Sequence, residues 1–357
     1  MSYFLAALGF AALIILHEAG HFVAAKAVGM RVERFSLFFG PMVIKRRIGE
    51  TEYGVGVIPL GGYVKISGMN PEEVLPPEVA PRAYYNQPVW KRVVVILAGP
   101  AVNLVIAFVI IWALFLSQGQ YVASTKVAGI QKSSPASQVL KLGDQIVSVD
   151  GVKGGETVLR NEIGRHHCAG RQVNGCLAAT PVTLVVRQHG TLVTLKVRPR
   201  YSSADHRPLI GFDFGSKAVP VGVAQASSLT VTNMWLVTKS TVSAIARIFE
   251  PKERRQLHGV VGVYTYTQEA VSQSPSLALD ILALISLSLA IINLFPFLPL
   301  DGGHVFWALA EKVRGRRIPV SVMERAGFIG FALILVLFVI GLSNDVSTLT
   351  GKGFSVH

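Results

Sequence analysis

Apolar residues in this chain are gathered into long runs instead of being spaced by twos or by threes and fours. Four runs stand out, at Tyr3–Ala27, Val93–Leu116, Leu277–Leu298 and Ala326–Leu342. A helix rises about 1.5 Å per residue, so runs of roughly 17 to 25 residues match a hydrocarbon core about 30 Å thick. The pattern predicts about four transmembrane helices. Between the first two runs it shortens to strand-like pieces, Arg34–Phe38, Met42–Lys45, Tyr53–Ile58 and Tyr63–Ile66, punctuated by Gly40-Pro41, Gly49, Pro59 and Gly61-Gly62. The piece Ile58–Ile66 is apolar yet glycine-rich, and such backbone enters a membrane only where protein or a wet cavity covers it. Pro71 to Pro88 reads as an exposed irregular stretch.

From Gln118 to about Ser216 the chain turns polar and strand-like. A short helix is expected after Ser134-Pro-Ala-Ser, a hairpin at Val182–Arg187 and Leu192–Val197 around His189-Gly190, and a closing strand at Leu209–Phe214. About 90 residues suffice for one small domain. Residues 228–249 are amphipathic; Asn233, Lys239 and Arg247 dilute the run, which favours a helix lying in the interface over one that spans. Glu250 to His258 is charged. The domain plan is therefore 1–118, first half of a membrane core; 119–216, a polar domain; 217–276, an amphipathic connector; and 277–357, the second half of the core.

Composition agrees with a multi-pass membrane protein: 51% of the 357 residues are hydrophobic and 15% charged, with a mean hydropathy of +0.47. The formal net charge of +13 raises the possibility of nucleic-acid binding. The basic residues flank the apolar runs, however, and cytosolic loops facing anionic lipid account for them without nucleic acid. Arg31, Arg34, Lys45, Arg46, Arg47, Lys65, Arg82, Lys91 and Arg92 mark 31–92 as an inside loop; Lys312, Arg314, Arg316, Arg317 and Arg325 mark a second. The N-terminus, the 119–216 domain and the C-terminus then lie outside. The first run has no basic n-region or small-residue cleavage site and is not read as a removable signal peptide. Cys168 and Cys176 are too few for a disulfide framework or a cysteine zinc site; whether they pair or stay free is open.

The candidate chemistry sits in the first run, at His17-Glu-Ala-Gly-His21. Histidines at i and i+4 stand about 40° apart around a helix and can reach one metal ion. Glu18 can take a proton from the water such an ion activates. Intramembrane ionisable groups are costly and usually functional, although two hydrogen-bonded packing histidines are the bland alternative. A catalytic zinc site needs a third protein ligand. Asp301 is the candidate, at the Pro-broken end of the third run and followed by Gly302-Gly303, with His304 and Asp280 as competitors. His17 lies about 21 Å along the first helix, and Asp301 about 36 Å along the third before its prolines shorten it. Both fall toward the cytosolic half of the bilayer. Pro100 and Asn103 near the start of the second run fit either a packing kink or a role beside the site. His166-His167 reads as a solvated pair in preference to a second metal site.

Four stretches together resemble the site-2 protease family of intramembrane zinc metalloproteases, in its bacterial form with a single PDZ domain. They are His17–His21, Gly54–Met69 with Pro59-Leu-Gly-Gly-Tyr-Val-Lys, Ala98-Gly-Pro-Ala-Val-Asn103, and Asn293–Gly303. The resemblance covers about residues 1–342. It implies one zinc ion on His17, His21 and Asp301, Glu18 as general base, and Asn293 with Gly61, Gly62 and Tyr63 positioning the substrate on a membrane-associated β element on the cytosolic side. Segment 121–215, with its Leu142-Gly-Asp-Gln-Ile-Val-Ser-Val-Asp-Gly run, resembles an extracytoplasmic PDZ-like α+β domain. The implied activity is cleavage of single-span membrane proteins of the anti-sigma-factor type in a bacterial plasma membrane, with lipids as the other partner. Gly259-Val-Val-Gly departs from the proline often found there. The competing expectation is a non-enzymatic membrane scaffold working through its PDZ domain.

Overall fold

The computed structural model describes residues 2–70, 72–247, 250 and 260–350. The chain divides into two compact units, Met1–Leu114 with Ala224–His357, and Phe115–Val223.

The first unit begins with helix α1 (Ser2–Ala27). Two long strands follow, β1 (Val32–Ile48) and β2 (Thr51–Ile66). Each bends at a glycine with positive φ, Gly40 at +88° and Gly61 at +120°, conformations that a side chain disfavours. The bends let one pair of strands make a broader sheet. Met42–Ile48 pairs antiparallel with Thr51–Gly56, while Phe35–Leu37 is flanked on one side by Tyr53–Val55 and on the other by Gly62–Val64. The four short pieces expected from sequence are thus the arms of two folded strands. Gly62–Ile66 forms an outer edge, with no further strand paired to it among the described residues.

Helix α2 (Val89–Gln118) starts four residues before the expected span and carries Pro100 through its interior. Its buried positions Val95, Gly99, Asn103, Ala107 and Ile111 recur every four residues, so one face is turned inward. Ala25, Met30, Val32, Ile66, Tyr84, Val95 and Ile96 form the core that fixes the end of α1, the sheet and the start of α2 together. Tyr84 is 6% exposed, so the proline-rich stretch is anchored at its far end and is not exposed throughout.

In the second unit, β3 (Gln120–Ile130), β4 (Gln145–Val149), helix α3 (Glu156–Gly164), β5 (Val182–Gln188), β6 (Thr191–Val197), the short pair β7 (Arg200–Ser202) and β8 (Arg207–Leu209), and β9 (Phe212–Val219) follow in order. The main sheet runs β6-β5-β4-β3-β9. The β5–β6 hairpin turns at His189-Gly190 as its pattern predicts. Alternating buried Val182, Leu184 and Val186 join Val127, Ile146, Leu159 and Ile210 in the core. Cys168 and Cys176 are disulfide-bonded, with Cα atoms 6.2 Å apart. The boundary expected at residue 216 falls inside β9, whose ladder to β3 runs on to Val219. Pairing, not polarity, ends this unit.

The remainder belongs to the first unit. The expected connector holds two helices, α4 (Val223–Ala246) and α5 (Val260–Gln273). Phe249, the charged stretch 251–258 and Gly259 lie outside the described residues. Then come α6 (Pro275–Asn293), α7 (Asp301–Arg314) and α8 (Val320–Thr350). Among the described residues, four helices are long and apolar enough to cross a membrane: Phe4–Ala27, Val89–Gln118, Pro275–Asn293 and Val320–Thr348. The third ends five residues before the expected Leu298, and Asp301 opens a new helix instead of closing a broken one. Pro296 and Pro299 cannot donate to a helical ladder, so α6 stops ahead of them. The turn then folds back onto the start of α7. A Cβ on Gly302 would lie 2.2 Å from the Leu294 carbonyl oxygen, and one on Gly303 2.5 Å from the Leu298 nitrogen. Only glycine lets the turn and α7 come so close.

Candidate metal centre

Helices α1 and α2 cross in contact where Gly20 faces Ala98; a Cβ on Gly20 would sit 2.6 Å from the Ala98 carbonyl oxygen. Just there His17 and His21, one turn apart, project from α1 toward α2 and are 6% and 7% exposed. Their Nε2 atoms are 3.3 Å apart. The Oδ2 of Asp301, from the first turn of α7, stands 3.2 Å from His17 Nε2 and 3.3 Å from His21 Nε2. Ligand atoms of all three residues lie within 4.8 Å of one another.

The surroundings fit a metal ion. Asp301 Oδ2 is buried yet has no properly directed hydrogen-bond donor. Two imidazoles and a carboxylate are a donor set of catalytic zinc sites. On the far side of the rings, His21 Nδ1 donates to the Val95 carbonyl oxygen at 2.8 Å, which leaves Nε2 as the nitrogen with a free lone pair. Gly99 opens the space: a Cβ there would lie 2.3 Å from His21 Nε2 and 2.9 Å from His17 Cε1. The cluster is built by α1, α2 and the α6–α7 turn together.

Glu18 points to the neighbouring side, toward the sheet. Its Cγ is 3.3 Å from where a Gly62 Cβ would be, and its carboxylate faces the Val64 main chain. The free edge Gly62–Ile66 therefore runs beside Glu18. Gly61 passes near Ile14 and the Phe39 ring. Tyr63 stacks on Phe39 with centroids 5.7 Å apart and accepts a hydrogen bond from Arg34 Nη1 at 3.0 Å. Asn293 is the half-buried last residue of α6. The competitors for the third ligand are elsewhere. His304 lines a cavity of about 50 Å³ with Tyr84, Arg92, Trp307 and Glu311. Asp280 lines another, of about 240 Å³, with Ile111 and Asn233. His166 is tied to Asp150 and Thr180 at 2.8 Å each, which makes it a loop brace.

The inner face of α2 carries Val95 and Gly99, to which sequence reading gave no role, and Asn103, for which it left a packing kink and a role beside the site open. Val95, Gly99 and Asn103 are spaced by four, as His17 and His21 are, and the two helices run in opposite directions past each other. That shared spacing is the signal that could have paired them.

Proteins of similar length match nearly the whole chain. The model for "Peptidase family M50" matches residues 5–337. A protein of Clostridium acetobutylicum named "Putative zinc metalloprotease" is 29% identical over 357 residues, covering 97% of this chain and 98% of its own. Proteins of the same description from Campylobacter jejuni (28% over 354 residues, 95% and 92% covered) and from a Nostoc species (29% over 352 residues, 95% and 94%) are similar throughout. With its apolar helices, this match identifies the chain as a membrane zinc metalloprotease belonging to peptidase family M50, the site-2 protease family.

Proposed function

We propose that the chain cuts peptide bonds within or near the transmembrane segments of single-span membrane proteins, anti-sigma factors being the instance its resemblance suggests. The carrying observation is the placing of Glu18 between a three-donor metal cluster and a free strand edge, all within membrane-helix context. In this reading His17, His21 and Asp301 hold one zinc ion. When bound, zinc supplies Lewis-acid polarisation of the scissile carbonyl and acidifies water. Glu18 takes the proton of the attacking water and returns it to the leaving amine. A helical substrate has its carbonyls tied up in i→i−4 bonds and must unwind first. The edge Gly62–Ile66 can receive the unwound piece by main-chain pairing, which also draws it past Glu18. Gly61, Gly62 and Tyr63 shape that edge, and Asn293 is proposed to help position the substrate from the end of α6.

The second unit is proposed as an extracytoplasmic PDZ domain. Its disulfide favours an oxidising compartment, and the basic loops favour the opposite side for 31–92. In a bacterial plasma membrane this puts the N- and C-termini outside as well. A cavity of about 170 Å³ lies against the edge strand β9, lined by Arg160 and Ile163 of α3 and by Ile210 to Phe214. That groove favours capture of a peptide end over a simple size filter. The scaffold alternative leaves the assembled donors and Glu18 without a purpose.

The test uses the full chain in proteoliposomes with a single-span reporter. Glu18→Gln is expected to bind zinc and to cut at least about 100-fold more slowly, the low end for losing a general base. Cleavage at the parent rate would sink the mechanism.

A further inference from the structure

Asn103 is fully buried at the α1–α2 contact, with no exposed surface. Its amide nitrogen lies 3.2 Å from His17 Nδ1, while its Oδ1 is buried without a partner. Its main-chain carbonyl accepts from Ser286 Oγ of α6 at 2.9 Å, so its backbone is held between two helices. The packing alone does not call for an amide here, because Ala107 and Ile111 occupy the same face one and two turns on.

The chemistry of His17 does call for one. If Nε2 gives its lone pair to a metal, Nδ1 carries the ring proton and needs an acceptor. With its nitrogen toward the ring, the Asn103 amide offers Nδ1 a donor and strands its own oxygen. A half-turn of the amide keeps the side chain's shape and exchanges oxygen for nitrogen. Oδ1 then accepts from His17 Nδ1–H, which removes the donor–donor conflict and satisfies the orphaned oxygen in one step. His21 already has the matching arrangement with the Val95 carbonyl. Both rings are then tied from the same helix, one by a main-chain carbonyl and one by a side chain two turns further on.

We infer that Asn103 is a positioning residue for the metal centre: its amide oxygen accepts the His17 Nδ1 proton and fixes that ring in the tautomer and orientation in which Nε2 binds zinc. The inference rests on the zinc-centre reading above. Removing such a partner lowers metal affinity by about 10- to 100-fold.

The experiment measures zinc affinity of the detergent-solubilised full chain by competition with a chromophoric chelator, alongside thermal unfolding of the metal-free protein. Asn103→Leu keeps the approximate size and loses the acceptor. Its zinc affinity is expected to fall by that factor while the metal-free unfolding temperature holds. Asn103→Asp keeps an acceptor oxygen in place and is expected to bind zinc as the parent does. Parental affinity in Asn103→Leu overturns the assignment, and so does a folded Asn103→Asp that binds as weakly as the Leu variant. Should Asn103→Leu also lose metal-free stability, the Asp variant decides. Zinc in the parent, and its loss in His17→Ala, test the metal centre itself, so failure of that reading is seen apart from failure of this one.

Discussion

Replacing Gly99 by alanine adds one methyl group at the place where the metal cluster has least room. The new Cβ would lie 2.3 Å from His21 Nε2, 2.7 Å from His21 Cε1 and 2.9 Å from His17 Cε1. Ordinary contact begins near 3.4 Å, so the ring atom meant to bind metal must retreat by about 1.1 Å. A Cβ cannot rotate away, and the helices cannot simply part, because Gly20 and Ala98 hold them in contact. Overpacking of this kind costs about 1–3 kcal/mol. Against that, alanine is favoured over glycine inside a helix by about 1 kcal/mol. The two terms act on different observables. Thermal unfolding of the metal-free chain should change little, since the helix gain offsets much of the strain. Zinc affinity should fall about 10- to 100-fold, as for other disturbances of ligand orientation, and cleavage of a single-span reporter should fall with it. Chelator competition on the purified chain measures the first, reporter cleavage the second. Gly99→Ala with parental zinc affinity would refute the placing of His21 Nε2 at the metal.

Arg92 of α2 and Glu311 of α7 form a pair at 2.7 Å with side chains only 11% and 15% exposed; Glu311→Gln leaves a half-buried guanidinium without its counter-charge and should cost about 1–3 kcal/mol, read as a lowered unfolding temperature, and an unchanged one refutes the pairing. Glu50 is held at about 2 by hydrogen bonds from Arg82 and then Lys26, below the ordinary 4.5. Its stabilisation is therefore full above about pH 4.5 and lost as pH falls toward 2. Solvent around the group limits the effect to about 1 kcal/mol, and Glu50→Gln should flatten that part of the stability–pH curve. Reduction of Cys168–Cys176 opens a loop of about nine residues and should destabilise the second unit by roughly 2–3 kcal/mol, with faster amide exchange in 165–180; unchanged exchange there would count against a structural role.

The four helices long and apolar enough to span were legible because hydrocarbon thickness dictates run length. His17, Glu18 and His21 were legible because their spacing is local. Asp301 was harder, since its meeting with them depends on a turn seven residues long between α6 and α7. The two glycines after it signalled close backbone approach, but the pattern could not show that a new helix begins there. The strand pieces were visible, whereas their order in the sheet was not: Phe35 touches both Tyr53 and Val64 in register, a pairing that depends on bends at Gly40 and Gly61. The face of α2 stayed hidden for another reason. In a run that is apolar all round, Val95 contributes a carbonyl and Gly99 an absence, and neither registers as polarity.

The choice between a metal centre and a pair of packing histidines turns on which atoms face each other. Packing histidines would be expected to direct ring N–H groups at acceptors. Here the distal nitrogens already meet the Val95 carbonyl and the Asn103 amide. With Nδ1 as the protonated side of each ring, as the Val95 carbonyl sets it for His21 and the amide orientation inferred for Asn103 sets it for His17, both Nε2 atoms present lone pairs to each other at 3.3 Å and to the Asp301 Oδ2 at 3.2 and 3.3 Å. Three electron-rich atoms converging in a water-poor interior repel one another, and at low dielectric the repulsion is large. A fold that spends Gly99, Gly302 and Gly303 to bring them together is stable only if a cation, or protons on the rings, sits between them. Protonating the rings would satisfy Asp301 but would charge two buried imidazoles beside each other. A single divalent ion would satisfy all three donors at once, and in the proposed mechanism Glu18, turned toward the strand edge, then stands outside the coordination set.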